Sequence, residues 1–175
     1  VGELYLPFHR GVYTSNGRLK RSNRIAETTL REAEIWTVIV RLFDKSKAPL
    51  KRLNKLWRDL LYLHFHDVIS GTSIERVHKE ADELYEEIIT QSENIKKTAQ
   101  ETICDPDTES LTVFNSLAHE RTAIVSLPVE FDNPVGEDGI QLIKQNMENE
   151  VLTELAVPPC GWTTIQNKKG CKKNS

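Results

Sequence analysis

A chain of 175 residues holds one domain or pieces of two, and 38% apolar residues suffice for a core. Its 28% charged residues, with a mean hydropathy of -0.46, read as soluble. The net charge of -3, with both signs interleaved, argues against a dedicated nucleic-acid surface. Only the runs Arg18 to Arg24 and Lys168 to Lys173 depart from that balance. The longest apolar run, Ile35 to Val40, is interrupted by Thr37 and falls far short of a membrane span. The N-terminus lacks the charged-then-apolar pattern of a secretory leader. Cys104, Cys160 and Cys171 make neither an even framework nor a CxxC pair, and read as free thiols of a reducing compartment.

Residues 1–18 mix apolar, aromatic and polar side chains, punctuated by Pro7, Gly11 and Gly17, and predict strand or irregular loop. From about Lys20 to Asp44 the spacing is helical: Ile25, Thr29, Ala33, Trp36, Val40 and Phe43 recur at steps of three and four. Leu30, Ile35, Val38, Ile39 and Leu42 widen the stripe, as for a helix with more than one neighbour. Ala48-Pro49 breaks the pattern. A second helix follows, with Leu50, Leu53, Leu56, Trp57, Leu60, Leu61 and His64 on its apolar side, running out near His66. Thr72 and Glu75 form a capping-box pattern for a third helix, which extends through about Thr102 along Ile74, Val77, Ala81, Leu84, Tyr85, Ile88 and Ile95.

Beyond Cys104 the composition turns β-rich. Strands are expected at Leu111 to Phe114, Thr122 to Leu127, Ile140 to Ile143, Val151 to Ala156 and Trp162 to Ile165. The fold class expected is α+β: an antiparallel three-helix bundle, then the beginning of an antiparallel β-sandwich-like domain. A full sandwich needs about 100 residues, so the β region reads as cut short.

The stretch His64-Phe65-His66-Asp67-Val68-Ile69-Ser70-Gly71-Thr72-Ser73 places two imidazoles and a carboxylate where the second helix should end. Residues two apart on a helix do not face each other, so His64 and His66 are not a chelating pair there. His64 falls on the apolar side and reads as a packed histidine. His66 and Asp67 lie at the fraying end, open either to a metal or catalytic role or to none. Gly71 and Thr72 are explained as turn and cap, although a helix N-terminus beside His66 would add backbone donors. Glu3, His9, Arg10 and Tyr13 form a second cluster, suited to sugar recognition or to an ordinary edge segment. Arg18, Lys20, Arg21 and Arg24 read as a solvated face or as partners of Glu27, Glu32 and Glu34. His78, in an exposed register, and His119 read as structural or solvated. No phosphate-binding glycine loop, dinucleotide fingerprint or nucleophile elbow is present.

Three blocks resemble glycoside hydrolase family 38, the class II α-mannosidases, and most closely its cytosolic and microbial branch. They are Gly2-Glu3-Leu4-Tyr5 with His9 to Ser15 and Lys20 to Arg24; Phe65 to Ile74 with Val77, Glu80-Ala81 and Tyr85; and Thr112 to Leu117 with Glu120-Arg121 and Pro158 to Trp162. The resemblance implies that residues 1–18 end a catalytic α/β barrel domain, 19–103 form the three-helix middle domain, and 104–175 begin the C-terminal β domain. It implies a zinc-dependent, retaining, exo-acting enzyme that removes terminal α-linked mannose from oligosaccharides or glycans. His66 would be one zinc ligand and Asp67 a sugar contact, with Glu3, His9, Arg10 and Tyr13 lining the same pocket. The nucleophile, the acid/base and the other three zinc ligands have no counterpart here, so the piece alone is expected to be inactive. Ser70 stands where a proline is common in the family, and Asn16-Gly17 is a local variation. The branch and the cysteines imply a cytoplasmic protein, without membrane or nucleic-acid partners and with homo-oligomerisation left open. The competing readings are a non-catalytic helical interaction module and a carbohydrate-binding relative without hydrolysis.

Overall fold

The computed structural model describes residues 11–43, 48–104 and 109–168. Two compact units divide between Ile103 and Cys104. The first is helical. α1 (Gly17–Phe43) starts three residues before the expected Lys20, because Asn16 adopts φ 47° and its Oδ1 accepts the Leu19 amide at 3.3 Å. An asparagine tolerates that left-handed turn and caps the helix with its own carboxamide. The buried stripe is Leu19, Ala26, Leu30, Ala33, Trp36 and Val40. It is narrower than expected: Ile25, Val38, Leu42 and Phe43 are exposed.

α2 (Leu50–Leu63) buries Leu53, Leu56, Leu60 and Leu63, a three-and-four repeat that aims one face at the core. It stops at His64, short of the expected His66, closing on tight turns from the His64 amide to Leu61 O (3.2 Å) and from the Phe65 amide to Tyr62 O (3.2 Å). A four-residue helix, α3 (His66–Ile69), follows. α4 (Glu75–Ile103) starts beyond the expected cap: the Val77 and His78 amides bond Ile74 O, and Thr72 Oγ1 lies 2.8 Å from Ser70 Oγ instead. α2 runs antiparallel to α1 and α4, which lie parallel to each other with Arg18 beside Asp82 and Glu32 beside Lys96, around a core of Leu30, Leu53, Leu56, Leu60, Tyr85 and Ile88. Each fully buried leucine contributes roughly 1.5–3 kcal/mol. Among the described residues no helix is long and apolar enough to cross a membrane.

The second unit is two three-stranded antiparallel sheets, so the α+β class holds. One has β1 (Ser110–Asn115), β6 (Gly161–Asn167) and β3 (Pro134–Val135) in the order β1-β6-β3. The other has β2 (Arg121–Pro128), β5 (Glu150–Val157) and β4 (Lys144–Asn146) in the order β2-β5-β4. Asn115 pairs with Gly161, and Leu127 with Val151. Leu127, Val151, Leu155, Val157 and Ile165 form one core shared by both sheets. The strand expected at Ile140 to Ile143 is not formed. A turn around Gly139 (φ 76°) leaves Ile140 and Ile143 exposed, with a single bridge from Gln141 to Val135.

Candidate functional site

α3 is held by what flanks it. Val68 is buried in the helical core and Ile69 packs against it, which fixes one side of the short helix. Phe65 is extended (φ -54°, ψ 137°), and its carbonyl accepts the Val68 and Ile69 amides at 2.8 and 3.0 Å. The opposite side of the turn then faces solvent. His66 and Asp67 stand there with 79% and 66% of their side chains exposed, Nε2 and Oδ1 3.5 Å apart. The Phe65 ring lies 4.4 Å from the imidazole, tilted by 41°. Ser73 Oγ donates to the Asp67 carbonyl, tying the far end of the turn back.

The turn at residues 11–16 docks on this element. Ser15 Oγ donates to Gly71 O at 2.9 Å, and Lys20 Nζ donates to Ser70 O at 3.1 Å and also to Ser15 O. Gly71 has φ +76°, and a Cβ there would sit 2.8 Å from Ser15 O and 2.9 Å from Asn16 Cβ. Glycine is required twice over, by conformation and by contact. Tyr13, on the same 11–16 turn, is exposed. Glu3, His9 and Arg10 lie outside the described residues.

On the other side of α3 the structure differs from the sequence expectation. His64 is not packed among apolar groups: it is one third exposed, and its Nε2 lies 2.8 Å from Asn23 Oδ1 and 3.6 Å from Glu27 Oε1. Tyr85 donates its hydroxyl to the same Asn23 Oδ1 at 3.0 Å, and Asn23 Nδ2 donates to Glu27 Oε1 at 3.0 Å. Asn23 stands within the first of the three resemblance blocks, where no site role attaches to it. Its only local signal was a carboxamide on the inward side of a helix, where it must find partners.

Burial, with the Glu27 charge adding to it, pushes the Tyr85 hydroxyl from 10.0 up to about 12. The unfolded chain therefore releases this proton before the fold does, and stability falls as pH rises through that window. Thermal melts of wild type and Tyr85→Phe should diverge between pH 10 and pH 12, the wild type losing more; parallel curves would mean that Tyr85 ionises freely.

The remaining candidates are structural. Arg18 pairs with Asp82 on α4, and Arg24 with Glu27 at 3.3 Å. Glu32 instead joins Lys96 at 3.3 Å. His78 is half-buried rather than exposed, with Nε2 lacking a partner among the described residues. A cleft of about 430 Å³ lined by Thr37, Val40, Arg52 and Ile95 lies at the opposite end of the bundle from α3. Cys104 and Cys160 are free.

Among the described residues no three His, Cys, Asp or Glu side chains converge on a point that could hold a metal. One accessible imidazole could supply at most a single donor, since protein zinc sites use three or four.

The family profile for the α-mannosidase middle domain matches residues 7–103. Alpha-mannosidase 2C1 of Mus musculus is 32% identical over 146 residues, 82% of this chain but 14% of the mouse protein. Alpha-mannosidase G of Dictyostelium discoideum is 27% identical over 192 residues, 94% of this chain and 17% of its own length. The chain thus spans about a sixth or less of these relatives. A crystal structure of a glycosyl hydrolase family 38 protein from Enterococcus faecalis superposes with a TM-score of 0.68 over 92% of this chain and 26% of the bacterial one, at 16% identity, a likeness of fold. An α-mannosidase from Enterococcus faecalis V583 gives 0.65 over 89% of this chain and 22% of its own, at 15% identity. The helical bundle, the sheets that follow it and the matched middle domain lead to one conclusion: the chain belongs to the α-mannosidases of glycoside hydrolase family 38.

Proposed function

We propose that this chain is the middle section of a zinc-dependent, retaining α-mannosidase acting on terminal α-linked mannose of oligosaccharides or glycans, with His66 as one zinc ligand and Asp67 as a sugar contact. The observation that carries the reading is the outward pair itself. An imidazole and a carboxylate stand 3.5 Å apart on a turn anchored from beneath by Val68 and from the side by Gly71. Among the described residues both side chains are largely exposed and stand outside the buried core of the bundle.

Zinc, when bound, would orient and polarise hydroxyls of the terminal sugar. His66 would hold one coordination position from a turn anchored by Val68 and Gly71. Asp67 would accept a hydroxyl hydrogen bond, which positions the sugar ring and carries no proton to the leaving group. Retention requires a nucleophilic carboxylate and a carboxylic acid about 5–5.5 Å apart. We place both outside this chain, together with the other zinc ligands, so the 175-residue piece alone would be inactive. Glu3, His9, Arg10 and Tyr13 belong to the same pocket in this reading, and the protein is cytoplasmic.

The test uses the complete enzyme, zinc analysis and an aryl α-mannoside. His66→Ala should lose zinc and hydrolysis together. Asp67→Asn should keep zinc and lower kcat/KM by about tenfold to a hundredfold, the worth of one hydrogen bond to a charged group. Unchanged zinc content and rate in His66→Ala would overturn the assignment.

A further inference from the structure

We infer that the Asn23–His64–Tyr85–Glu27 cluster is a positioning device for His66 and Asp67: a hydrogen-bonded clamp that sets where α2 ends and therefore where the metal-facing turn begins. The inference rests on the reading of His66 as a ligand and extends it to residues two helices away.

The hydrogen bonds fix their own directions. The Glu27 carboxylate only accepts, so the Asn23 group 3.0 Å from it must be the amide nitrogen. Asn23 Oδ1 then faces His64 Nε2 at 2.8 Å and the Tyr85 hydroxyl at 3.0 Å. A carbonyl oxygen accepts two bonds, and both neighbours must donate. His64 therefore carries its proton on Nε2. Tyr85 remains a neutral donor up to strongly alkaline pH, since burial and Glu27 hold its proton on. Both lone pairs of the Asn23 oxygen are used, and one N–H is committed to Glu27. A carboxamide whose oxygen is fully engaged, bridging α1, the end of α2 and α4, is stiffer than three separate contacts would be.

His64 is the residue at which α2 stops, with φ -77° and ψ 0°. The next residue, Phe65, is already extended, and the one after it is His66. Two residues span at most about 7 Å, so a fixed His64 confines the His66 Cα to a small volume. Val68 and Gly71 fix the chain on the far side. His66 and Asp67 are thus suspended between two anchors, one apolar and steric, the other polar. Residues that orient a metal ligand without touching the metal alter affinity by about tenfold to a hundredfold when replaced.

The experiment measures zinc affinity of the complete enzyme by chelator competition, beside its melting temperature, for Tyr85→Phe, His64→Leu, His64→Gln and His66→Ala. Tyr85→Phe removes one hydroxyl from an otherwise unchanged shape, so it keeps the test valid if His64→Leu fails to fold. The clamp predicts at least a tenfold loss of zinc affinity in Tyr85→Phe and His64→Leu. His64→Gln, which still offers an N–H to Asn23, should recover most of it. A merely structural cluster would lower the melting temperature and leave zinc affinity of the folded protein unchanged, and that outcome overturns the inference. His66→Ala separates the two levels. If it loses zinc while the cluster variants do not, only the clamp falls; if it keeps zinc, the ligand assignment falls and the clamp with it. Nitrogen-15 spectra of the imidazoles add a direct check, since a His64 Nε2 without a proton would contradict the bond directions.

Discussion

Gly71→Ala should destabilise the helical unit by about 2–5 kcal/mol, the sum of left-handed backbone strain and overpacking in a close contact. The single added carbon would lie 2.8 Å from a backbone oxygen, Ser15 O, and 2.9 Å from Asn16 Cβ. Neither is the free end of a flexible side chain. Relief requires the 11–16 turn to lift away, which breaks the Ser15 Oγ to Gly71 O bond and loosens the Asn16 cap of α1. Gly139→Ala is the control: it has the same φ of +76°, but its nearest neighbour is Lys168 Nζ at 3.8 Å. It should cost about 1–2 kcal/mol, the conformational part alone. Hydrogen exchange would report the difference. Amides at the start of α1 and around α3 should lose protection in Gly71→Ala, whereas Gly139→Ala should affect only its own turn. Unchanged protection at both places in Gly71→Ala would mean that the two segments are not clamped.

That contact also marks the limit of what the sequence could convey. Gly71 and Ser15 are 56 residues apart, and no local pattern announces that one backbone needs the other's missing side chain. The long helices were legible because leucines and alanines at steps of three and four have few other uses. Their ends were not. α2 carries no proline or glycine before Gly71, so no residue type marks its end; it closes on tight turns to Leu61 and Tyr62, where His64 meets Asn23 of α1. Periodicity separated His64 from His66, and the structure adds that one turns inward to a polar partner while the other faces water. In the sheet unit, alternation located four strands within a few residues. Ile140 to Ile143 has β-branched content without a strand, because the turn around Gly139 exposes both isoleucines. The pairing of β1 with β6 rather than with β2 is a long-range choice that strand patterns do not encode.

Asn115→Ala should loosen the sheet unit by about 2–4 kcal/mol, because one buried carbonyl and three part-buried backbone groups would each lose a hydrogen bond. Asn115 belongs to a block that carried the family resemblance, and the structure gives it a structural task. It is 5% exposed at the end of β1. Its Nδ2 lies 2.8 Å from His119 O, 3.2 Å from Val157 O and 3.0 Å from Pro158 O, and its Oδ1 accepts the Leu117 amide at 3.0 Å. One carboxamide thereby stitches the link between β1 and β2 to the turn between β5 and β6. The Cys160 amide adds a backbone bond to Leu117 O at 2.8 Å across the same junction. Two N–H groups serve three carbonyls, so removal strips all of them at once, and the buried Val157 oxygen is poorly placed to recover a partner from water. Asn115→Asp sharpens the test. It keeps the acceptor for Leu117 but aims a carboxylate at three carbonyl oxygens, so it should be at least as damaging as alanine despite its matching shape. A sugar-contacting asparagine would behave differently, raising KM while leaving the sheets intact. Hydrogen exchange over β1, β5 and β6 decides between them: wild-type protection in both variants would remove Asn115 from the framework.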